Sequence, residues 1–438
     1  MSRVLRLTAV FFLIALCGPA LAEWDETERV IIDWADANVE ASIALLEETV
    51  NINSGTMNAA GVRQVGAVLA REYAAIGFTT EWLDAPQSMQ RAGHLVARSP
   101  GGKGKKVLLI GHLDTVFEPD DPFQKFVRDG DRASGPGIGD MKAGNVVMLY
   151  ALKALQAAGA LDDLQAIAIY TGDEESPGLP LEQARFDLIE AGKWADVVLG
   201  FEGASFRDGA DWATIARRSS HEWRLIVEGR QAHSSSIFSD TTGAGAIFEA
   251  ARILNAFYEA VRGEEYLTFN AGVILGGTDV SYDYEETRGR AFGKTNVVPG
   301  RAIVHGGIRT ISPAQYERAK AAMKAIVASH LPQTSASIEF IDSYPAMAPT
   351  AGNRALQHML SEINEGLGRG PMEALDPSLR GAADISFVAP YADGLAGMGA
   401  IGSGAHTPNE SIDLRSMPLA VKRAALLMYR LSRSVAQP

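Results

Sequence analysis

Residues able to bind metal ions occur in five short polar runs spread over most of this 438-residue chain. Each run contains at least one glycine, and the candidate ligands are His112, Asp140, Glu175, Glu202 and His406. Imidazole and carboxylate together suit zinc and its neighbours, whereas calcium and magnesium sites consist almost entirely of oxygen ligands. If the fold brings these runs together, the sequence predicts metal-assisted hydrolysis.

The first two runs each allow an ordinary interpretation beside the chemical one. Asp114 follows His112 by two residues, so its carboxylate can accept the second ring N–H and fix the tautomer. A polar loop at a strand end would produce the same pattern. Asp140 lies in a glycine-dense turn before a helix, where a carboxylate can bridge two cations or simply cap the helix.

The third run places three carboxylates together, from Asp173 to Glu175, directly after an apolar segment. Such a cluster is repulsive unless cations or protons relieve it. One glutamate can bind metal while its neighbour takes a proton from a water whose pKa the metal lowers towards about 7. A solvated acidic turn is the alternative, and the position after a strand favours the site. Glu202 and His406 are uninformative on their own.

The first residues are typical of an export signal. Two arginines precede an apolar run from Leu7 to Cys17, and Ala20-Leu21-Ala22 matches a small-x-small cleavage site. The apolar run is too short to span a bilayer, so we predict a cleaved signal peptide at residues 1–22 and no stable membrane anchor. A membrane-anchored form would require the signal to remain uncleaved. The mature protein is expected in the periplasm or outside the cell.

Cleavage would also change the composition that the fold has to use. The two arginines leave, so the net charge goes from -13 to -15 (-13 minus 2), and the single cysteine is lost. A mature chain without cysteine has no disulfide and no thiolate chemistry. The acidic balance argues against a nucleic-acid partner, because phosphate binding requires basic patches.

Short apolar runs alternate with helix-length amphipathic ones in the first half of the chain. Strands are predicted at Val107–Ile110, Ile167–Thr171 and Val197–Phe201, and a helix at Ala143–Ala158. This alternation predicts an α/β fold, a mostly parallel sheet flanked by helices. Because ligands of such sheets lie beyond the carboxyl ends of the strands, the positions of His112, Glu175 and Glu202 support a common site.

The pattern changes near Trp212. The following segment predicts an inserted α+β layer, with strands at Glu222–Glu228, Leu267–Leu275, Arg301–Ile308 and Ser335–Ile341 and helices at Ala244–Val261 and Pro313–Leu331. We therefore assign residues 23–211 and 343–438 to a catalytic domain and 212–342 to the insertion. The catalytic domain would end in a helix at Leu419–Ser432. The stretch Gly277–Lys294 is either a substrate-facing loop or a surface insertion, and the second is favoured.

Taken in order and spacing, the runs resemble those of the co-catalytic zinc metallopeptidases, the family of glutamate carboxypeptidase, succinyl-diaminopimelate desuccinylase and the aminoacylases. The resemblance covers nearly the whole mature chain and implies that Asp140 bridges two metal ions. It further implies that His112 and Glu202 complete one metal site, and Glu175 and His406 the other. Glu174 would be the general base, with Asp114 orienting His112.

The same resemblance assigns roles in the insertion, which is similar to the family's lid or dimerisation domain. His233 would reach the active site of the partner subunit and stabilise the oxyanion of the tetrahedral intermediate. Asn296 and Arg309 would hold the substrate carboxylate. Two positions depart from the family pattern: Gly307 replaces an acidic residue, and the run that begins at Arg380 replaces a more glycine-rich one.

The sequence thus predicts an exported di-zinc hydrolase that cleaves an amide bond next to a free carboxylate and resembles glutamate carboxypeptidase. Its substrate would be a small peptide or an N-acyl amino acid, and it would form a homodimer through the lid. An aminoacylase or dipeptidase is the alternative within the family, and Co²⁺ or Mn²⁺ could replace Zn²⁺. A non-catalytic periplasmic binding protein is the alternative of another class, but it would not need Glu174 beside Glu175.

Overall fold

The computed structural model describes residues 24–284 and 286–434, so the predicted signal peptide lies outside the described residues. The helices are α1 (Glu26–Ala37), α2 (Val39–Val50), α3 (Ala59–Ala75), α4 (Ala143–Ala157), α5 (Leu181–Ala184), α6 (Phe186–Trp194), α7 (Ala246–Ala260), α8 (Pro313–Val327), α9 (Ala351–Gly366), α10 (Ile385–Val388) and α11 (Ser416–Arg433). Among the described residues, no helix has the length and apolar character needed to cross a membrane.

The strands belong to one large sheet and several smaller ones. They are β1 (Thr79–Leu83), β2 (His94–Arg98), β3 (Lys103–His112), β4 (Val127–Asp129), β5 (Arg132–Ser134), β6 (Leu164–Thr171), β7 (Val197–Gly200), β8 (Ser205–Arg207), β9 (Ala210–Ala213), β10 (Ser220–Gly229), β11 (Thr268–Gly277), β12 (Asp279–Asp283), β13 (Arg288–Phe292), β14 (Arg301–Arg309), β15 (Thr334–Tyr344), β16 (Glu373–Ala374), β17 (Asp393–Leu395), β18 (Gly402–Ser403) and β19 (Ser411–Asp413).

The large sheet has the order β1-β2-β6-β3-β7-β17. The pairs β6–β3, β3–β7 and β7–β17 are parallel, and only β1 and β2 join it through antiparallel pairs. Alternate residues of β3 face opposite sides: Val107 and Leu109 belong to the main core, while Leu108 and Ile110 belong to a second cluster with residues of α6 and α10. Burial of both faces explains why these strands read as continuous apolar runs. The predicted mostly parallel sheet flanked by helices is confirmed.

The inserted α+β layer, which we call the lid, is built on four antiparallel strands in the order β11-β14-β10-β15. Alternation along β10 buries Trp223, Leu225 and Val227 against α7 and α8, where Ile253 and Met323 complete a separate hydrophobic cluster. The lid therefore has a core of its own, as the period-two and helical patterns predict.

The stretch Gly277–Lys294, for which a surface insertion was favoured over a substrate-facing loop, contains a β-hairpin formed by β12 and β13. Its aromatic residues pack onto the lid sheet. The guanidinium carbon of Arg224 lies 3.7 Å from the centroid of the Tyr284 ring. Both Tyr282 and Tyr284 also contact the ring of His305. These contacts join residues far apart in sequence, which is why the local pattern did not reveal the strands.

The chain leaves and re-enters the catalytic domain at neighbouring residues. The backbone N–H of Arg217 donates to the carbonyl of Met347, and that of Met347 donates to the carbonyl of Arg217, both at 2.9 Å. Near the C-terminus of the described chain, helix α11 packs on α1, with Arg430 Nε 3.0 Å from Glu28 Oε1.

Candidate metal centre

The register of the central strands brings three of the polar runs to one edge of the sheet. His112, the last residue of β3, pairs with Thr171, the last residue of β6, and Ile110 pairs with Gly200 at the end of β7. The loops that follow these strand ends carry the remaining acids of the runs. Because parallel strands end at the same edge, those side chains converge there.

The Asp140 turn and the His406 loop reach this edge through a smaller sheet, in which β19 pairs with β5. Between β18 and β19, the side chain of Glu410 accepts the backbone N–H groups of Gly137 at 3.0 Å, Gly139 at 2.7 Å and Asp140 at 2.9 Å. Gly137 has φ +68°, and a Cβ there would lie 2.2 Å from Thr115 Cγ2, so the turn requires glycine. Glu410 thus fixes the turn that presents Asp140, and Asp140 does not cap helix α4.

One group of potential ligands surrounds His112. Its Nε2 lies 3.2 Å from Asp140 Oδ1 and 3.7 Å from Glu202 Oε1. The three side chains offer ligand atoms that all lie within 4.8 Å of one another. A second group surrounds His406, whose Nε2 lies 3.1 Å from Asp140 Oδ2 and 3.2 Å from Glu175 Oε2. Asp140 therefore faces the two groups with its two different oxygens.

The donor set fits two transition-metal ions. Burial raises the pKa of Glu175 and, with the added repulsion of Asp140, that of Glu202. Glu175 Oε1 is buried without a hydrogen-bond donor among the described residues. Three crowded carboxylates and two imidazoles of this kind match the nitrogen and oxygen ligands of zinc, cobalt or manganese. Cations would relieve the repulsion that burial imposes.

The two imidazoles supply positive charge next to these carboxylates. Hydrogen bonds to Asp140 and Glu175 raise the pKa of His406 to about 10. Burial works against protonation of His112, but Asp114 and Asp140 outweigh it and raise that pKa well above its usual value. For Asp140, the two histidines outweigh burial and lower the pKa.

Asp114 connects both groups and is completely buried. His112 Nδ1 lies 3.0 Å from the Asp114 carbonyl oxygen and 3.3 Å from its Oδ1, so backbone and side chain both orient the ring. The same carboxylate accepts the backbone N–H groups of Glu174 and Glu175, both at 3.0 Å, and the hydroxyl of Thr56 at 2.6 Å. Asp114 therefore positions the acidic run as well as the histidine.

A carboxylate oxygen of Glu174 lies within 4.8 Å of a ring nitrogen of His112 and of a carboxylate oxygen of Glu175. Burial raises the pKa of its carboxyl well above the usual value, and the nearby Asp384 adds to the effect, while His112 opposes it. The hydroxyl of Tyr344 donates to the Glu174 carbonyl at 2.7 Å. A buried carboxyl with a raised pKa, held in place by its backbone, is suited to proton transfer.

A fully buried arginine stabilises the loop below Glu174. Arg185 pairs with Asp173 and with Asp384, both at 2.7 Å, and donates to the hydroxyl of Tyr344 at 2.8 Å. The first acid of the Asp-Glu-Glu run therefore serves as a structural ion-pair partner. The sequence offers no local signal for this network, because its members lie on segments far apart in the chain.

A cavity of about 270 Å³ opens beside Glu202 and Asp140. Two cationic side chains, Arg217 and Arg380, contribute to its wall. Arg217 donates from Nε to the carbonyl of Gly381 at 2.6 Å, and Arg380 donates from Nη2 to the carbonyl of Gly203 at 3.0 Å. Burial and the neighbouring Arg217 lower the pKa of Arg380 to about 10, so it remains a cation at neutral pH.

The lid residues predicted to bind substrate or act in catalysis stand apart from these groups. His233 is exposed, and its Nδ1 lies 2.8 Å from Ser235 Oγ. Asn296 is next to it, since its carbonyl accepts the Ser234 N–H at 2.9 Å. Arg309 ends β14, and a Cβ on Gly381 would lie 3.9 Å from its Nη1. Within residues 24–284 and 286–434, no hydrogen bond or ion pair joins His233 or Asn296 to the candidate metal ligands.

The structure thus brings together all five candidate ligands with Glu174 and Asp114, and it leaves His233, Asn296 and Arg309 outside that cluster. Sequence reasoning missed several supporting residues: Thr56, Arg185, Arg217, Tyr344 and Glu410. Only Glu410 had a usable signal, since it follows His406 by four residues within the same polar loop.

Comparison with known proteins gives a consistent result. A model of "Peptidase family M20/M25/M40" matches residues 108–430. Carboxypeptidase G2 of Pseudomonas sp. (strain RS-16) is 26% identical over 440 residues, covering 97% of this chain and 97% of that protein.

Two solved structures show the same fold. Aminopeptidase PepT from Bacillus cereus ATCC 10987 has a TM-score of 0.69 at 17% identity, covering 90% of this chain and 99% of that one. A dinuclear metal binding peptidase of the M20 family from Bacillus subtilis has a TM-score of 0.62 at 16% identity, covering 91% and 99%.

Proposed function

We propose that this chain, which belongs to peptidase family M20/M25/M40 and is a hydrolase of peptide or amide bonds, cleaves an amide bond next to a free carboxylate by means of two divalent metal ions. One observation carries the proposal: Asp140 directs its two oxygens at two histidines, each of which has a further carboxylate beside it. A bridging carboxylate between two such groups is the arrangement that a pair of catalytic metal ions requires.

In this proposal His112 and Glu202 hold one ion, Glu175 and His406 hold the other, and Asp140 contacts both. The two ions, when bound, would polarise the scissile carbonyl and lower the pKa of water. Zinc is the metal we expect, and cobalt and manganese accept the same ligands. Asp114 would keep the His112 ring in the orientation that frees Nε2, because it engages Nδ1.

Glu174 is proposed as the general base. Its carboxylate would take a proton from the attacking water and return it to the leaving nitrogen. The raised pKa supports the first half of this exchange, since a carboxylate whose pKa is raised is a stronger base. The Asp114 and Tyr344 contacts to its backbone N–H and carbonyl would keep its position fixed between the two transfers.

The lid would complete the site from a second copy of the chain. His233 is exposed and free of the ligand cluster within one chain, which agrees with a role across a homodimer. There it would donate to the oxyanion of the tetrahedral intermediate. Asn296 and Arg309 would bind the substrate carboxylate, for which a guanidinium fork is well suited. We further propose export through the segment 1–22, giving a periplasmic or secreted enzyme.

Similarity to carboxypeptidase G2 over 97% of both chains favours carboxypeptidase-like activity on small peptides or N-acyl amino acids. The test is hydrolysis of a panel of dipeptides and N-acyl amino acids, each paired with its C-terminal amide. We expect turnover only with a free carboxylate, complete loss with a chelator, and recovery with Zn²⁺, Co²⁺ or Mn²⁺. Turnover that survives removal of all bound metal would refute the proposal. The same panel separates a peptidase from an aminoacylase.

A further inference from the structure

Another cavity, of about 430 Å³, lies where the lid joins the catalytic domain, and we call it the junction cavity. Pro313 and Tyr316 of helix α8 line it from the lid, and Ile189 of α6 and Phe387 of α10 line it from the catalytic domain. No candidate metal ligand lines it, so it is separate from the metal centre. Small-molecule sites occur preferentially at such interfaces between domains and are mainly apolar, with a few polar groups.

One polar group on this wall has a hydrogen-bond donor that the protein does not use. His221 is 7% exposed and lines the cavity, and its Nδ1 accepts the Ser343 N–H at 3.0 Å. The neutral ring therefore carries its proton on Nε2. Within residues 24–284 and 286–434, no acceptor lies within hydrogen-bond distance of that nitrogen. A donor on a buried ring without an acceptor is costly, so a ligand that supplies an acceptor would gain affinity.

The charges on the wall favour a cation. Asp342 lines the cavity, and its Oδ1 accepts the hydroxyl of Tyr316 at 2.7 Å. Glu317 lines it too, and its ion-pair partner Lys320 does not. No lysine or arginine of the described chain lines the cavity, and Asp342 has no cationic partner within 4.0 Å there. A cleft whose charges share one sign concentrates ions of the opposite sign.

The donor and the negative charge are neighbours. Asp342 opposes the lowering of the His221 pKa by burial, which requires that its carboxylate lie near that ring. Ser343 and Pro345 line the cavity as well, and Tyr344 between them donates to the carbonyl of Glu174 at 2.7 Å. A ligand in the junction cavity would therefore contact the segment that holds the proposed base.

We propose that the junction cavity binds a small primary amine that has an apolar body and a hydroxyl or carbonyl oxygen near the nitrogen. The ammonium group binds Asp342, with Glu317 adding negative charge, and the oxygen accepts the Nε2–H of His221. The apolar body packs on Ile189 and Phe387. This site goes beyond the proposed function and does not depend on it, because none of these residues belongs to the metal centre.

Three related probes separate these contributions by calorimetric titration of the full chain at pH 7. Phenylalaninol has all three features, 3-phenylpropane-1,2-diol has a hydroxyl in place of the ammonium group, and phenethylamine lacks the hydroxymethyl group. We expect phenylalaninol to bind about tenfold to a hundredfold more tightly than the diol, the range that a charge-assisted hydrogen bond provides. Its advantage over phenethylamine should be about threefold to tenfold, as for one neutral hydrogen bond.

Asp342→Asn assigns the binding to this cavity, because asparagine keeps an acceptor for the Tyr316 hydroxyl and removes only the charge. We expect this variant to bind phenylalaninol no more tightly than it binds the diol. Asp240→Asn, at an exposed position of the lid outside the cavity, is the matched control and should bind all three probes as the wild type does. If Asp342→Asn does not fold, Glu317→Gln replaces it and should weaken phenylalaninol binding by about threefold.

Equal affinities of the wild type for phenylalaninol and the diol would show that the cavity does not select a cation, and the inference would be wrong. Undiminished binding of phenylalaninol to the charge-removing variant would place the probe elsewhere and overturn it as well. Absence of phenylalaninol binding at millimolar concentration would have the same consequence. None of these titrations measures hydrolysis, so a failure here is distinct from a failure of the proposed function.

Discussion

At the scale of single residues, a variant of the proposed base Glu174 can test proton transfer separately from metal binding. Glu174 lies beside the candidate ligands His112 and Glu175, yet it is not needed to complete either group around Asp140. We expect Glu174→Gln to keep both metal ions and to lower kcat by about a hundredfold to ten-thousandfold, the contribution of general acid–base catalysis. Metal content and turnover of the same preparation provide the measurement.

Glu182→Gln, at an exposed position of helix α5, serves as a matched control for that substitution. Full activity in Glu174→Gln with two bound ions would remove the base from the mechanism. Loss of the metal ions together with the activity would instead make Glu174 a ligand.

Glu410 tests a different property, the rigidity of the turn that presents Asp140. Its carboxylate accepts three backbone N–H groups, and burial raises its pKa to about 7. Glu410→Ala leaves those donors unpaired, so we expect metal affinity to fall by about tenfold to a hundredfold, as for other groups that support ligands. Asn409→Ala, one residue earlier and exposed, should bind metal as the wild type does. Equal affinities for both variants would show that the turn does not need Glu410.

These residues also show how far the sequence leads at this scale. His112, Asp140 and Glu175 were recognisable because each lies in a glycine-containing polar run after a strand or before a helix. Glu410 and Arg185 were not, because a single acid or base acquires its role only from groups that the fold brings to it. Arg185 forms an ion pair with Asp384 on a distant segment, and no local sequence pattern predicts that pair.

At the scale of elements, His221 of strand β10 packs against helix α8, and we expect it to make the stability of the folded state depend on pH. Its ring stacks on Tyr316, with centroids 4.1 Å apart, and its Nδ1 accepts the Ser343 N–H at 3.0 Å. Burial lowers its pKa to about 4, with Lys320 adding to the shift and Asp342 opposing it. Protonation would place a hydrogen on Nδ1, where Ser343 already donates, so the folded state keeps the ring neutral.

The sign of the pH effect follows from this difference. In the unfolded chain His221 becomes protonated near pH 6.5, whereas in the folded chain it becomes protonated only near pH 4. The contribution of His221 to the free energy of unfolding is therefore complete above pH 6.5 and is lost as the pH falls towards 4, to a total of about 3 kcal/mol. Urea denaturation at several pH values measures it.

We expect His221→Asn, which keeps an acceptor for Ser343, to show a shallower loss of stability between pH 6.5 and 4.5 than the wild type. His358→Asn, at an exposed site on α9, is the control and should follow the wild-type curve. Identical slopes in His221→Asn and the wild type would disprove the assignment.

Elements with strong periodicity were predictable, and those held by remote contacts were not. The buried strands β3, β6 and β7 and the helices α4, α7 and α11 lie close to their predicted positions, because burial on both faces or on one stripe leaves a clear pattern. The hairpin of β12 and β13 lies mostly at the surface. Its register depends on cross-strand pairing and on Tyr284 packing over the lid sheet, which the local sequence does not encode.

At the scale of the whole molecule, the proposed role of His233 makes activity a property of two chains. Glu174→Gln and His233→Ala should each be inactive as homodimers. After the two are mixed and allowed to exchange subunits, a heterodimer has one site with an intact Glu174 and the His233 of the other chain. A 1:1 mixture should therefore recover about a quarter of the wild-type activity, since half the dimers carry one working site of two.

Mixing Glu174→Gln with a double variant that carries both substitutions is the control and should recover nothing. Recovery in neither mixture, with dimers verified by gel filtration, would show that His233 does not act on the partner subunit. Substantial activity of His233→Ala alone would show that the oxyanion is stabilised elsewhere.

The paired backbone hydrogen bonds between Arg217 and Met347 have an architectural consequence. When a segment leaves and re-enters a domain at two residues that are hydrogen-bonded to each other, the segment can be replaced without changing the strand registers of that domain. We therefore expect that the lid can be exchanged between relatives as a cassette, spliced at these two residues, provided that the new segment keeps Tyr344, whose hydroxyl donates to the Glu174 carbonyl. Substrate choice and subunit pairing could then diverge while the ligand geometry stays the same.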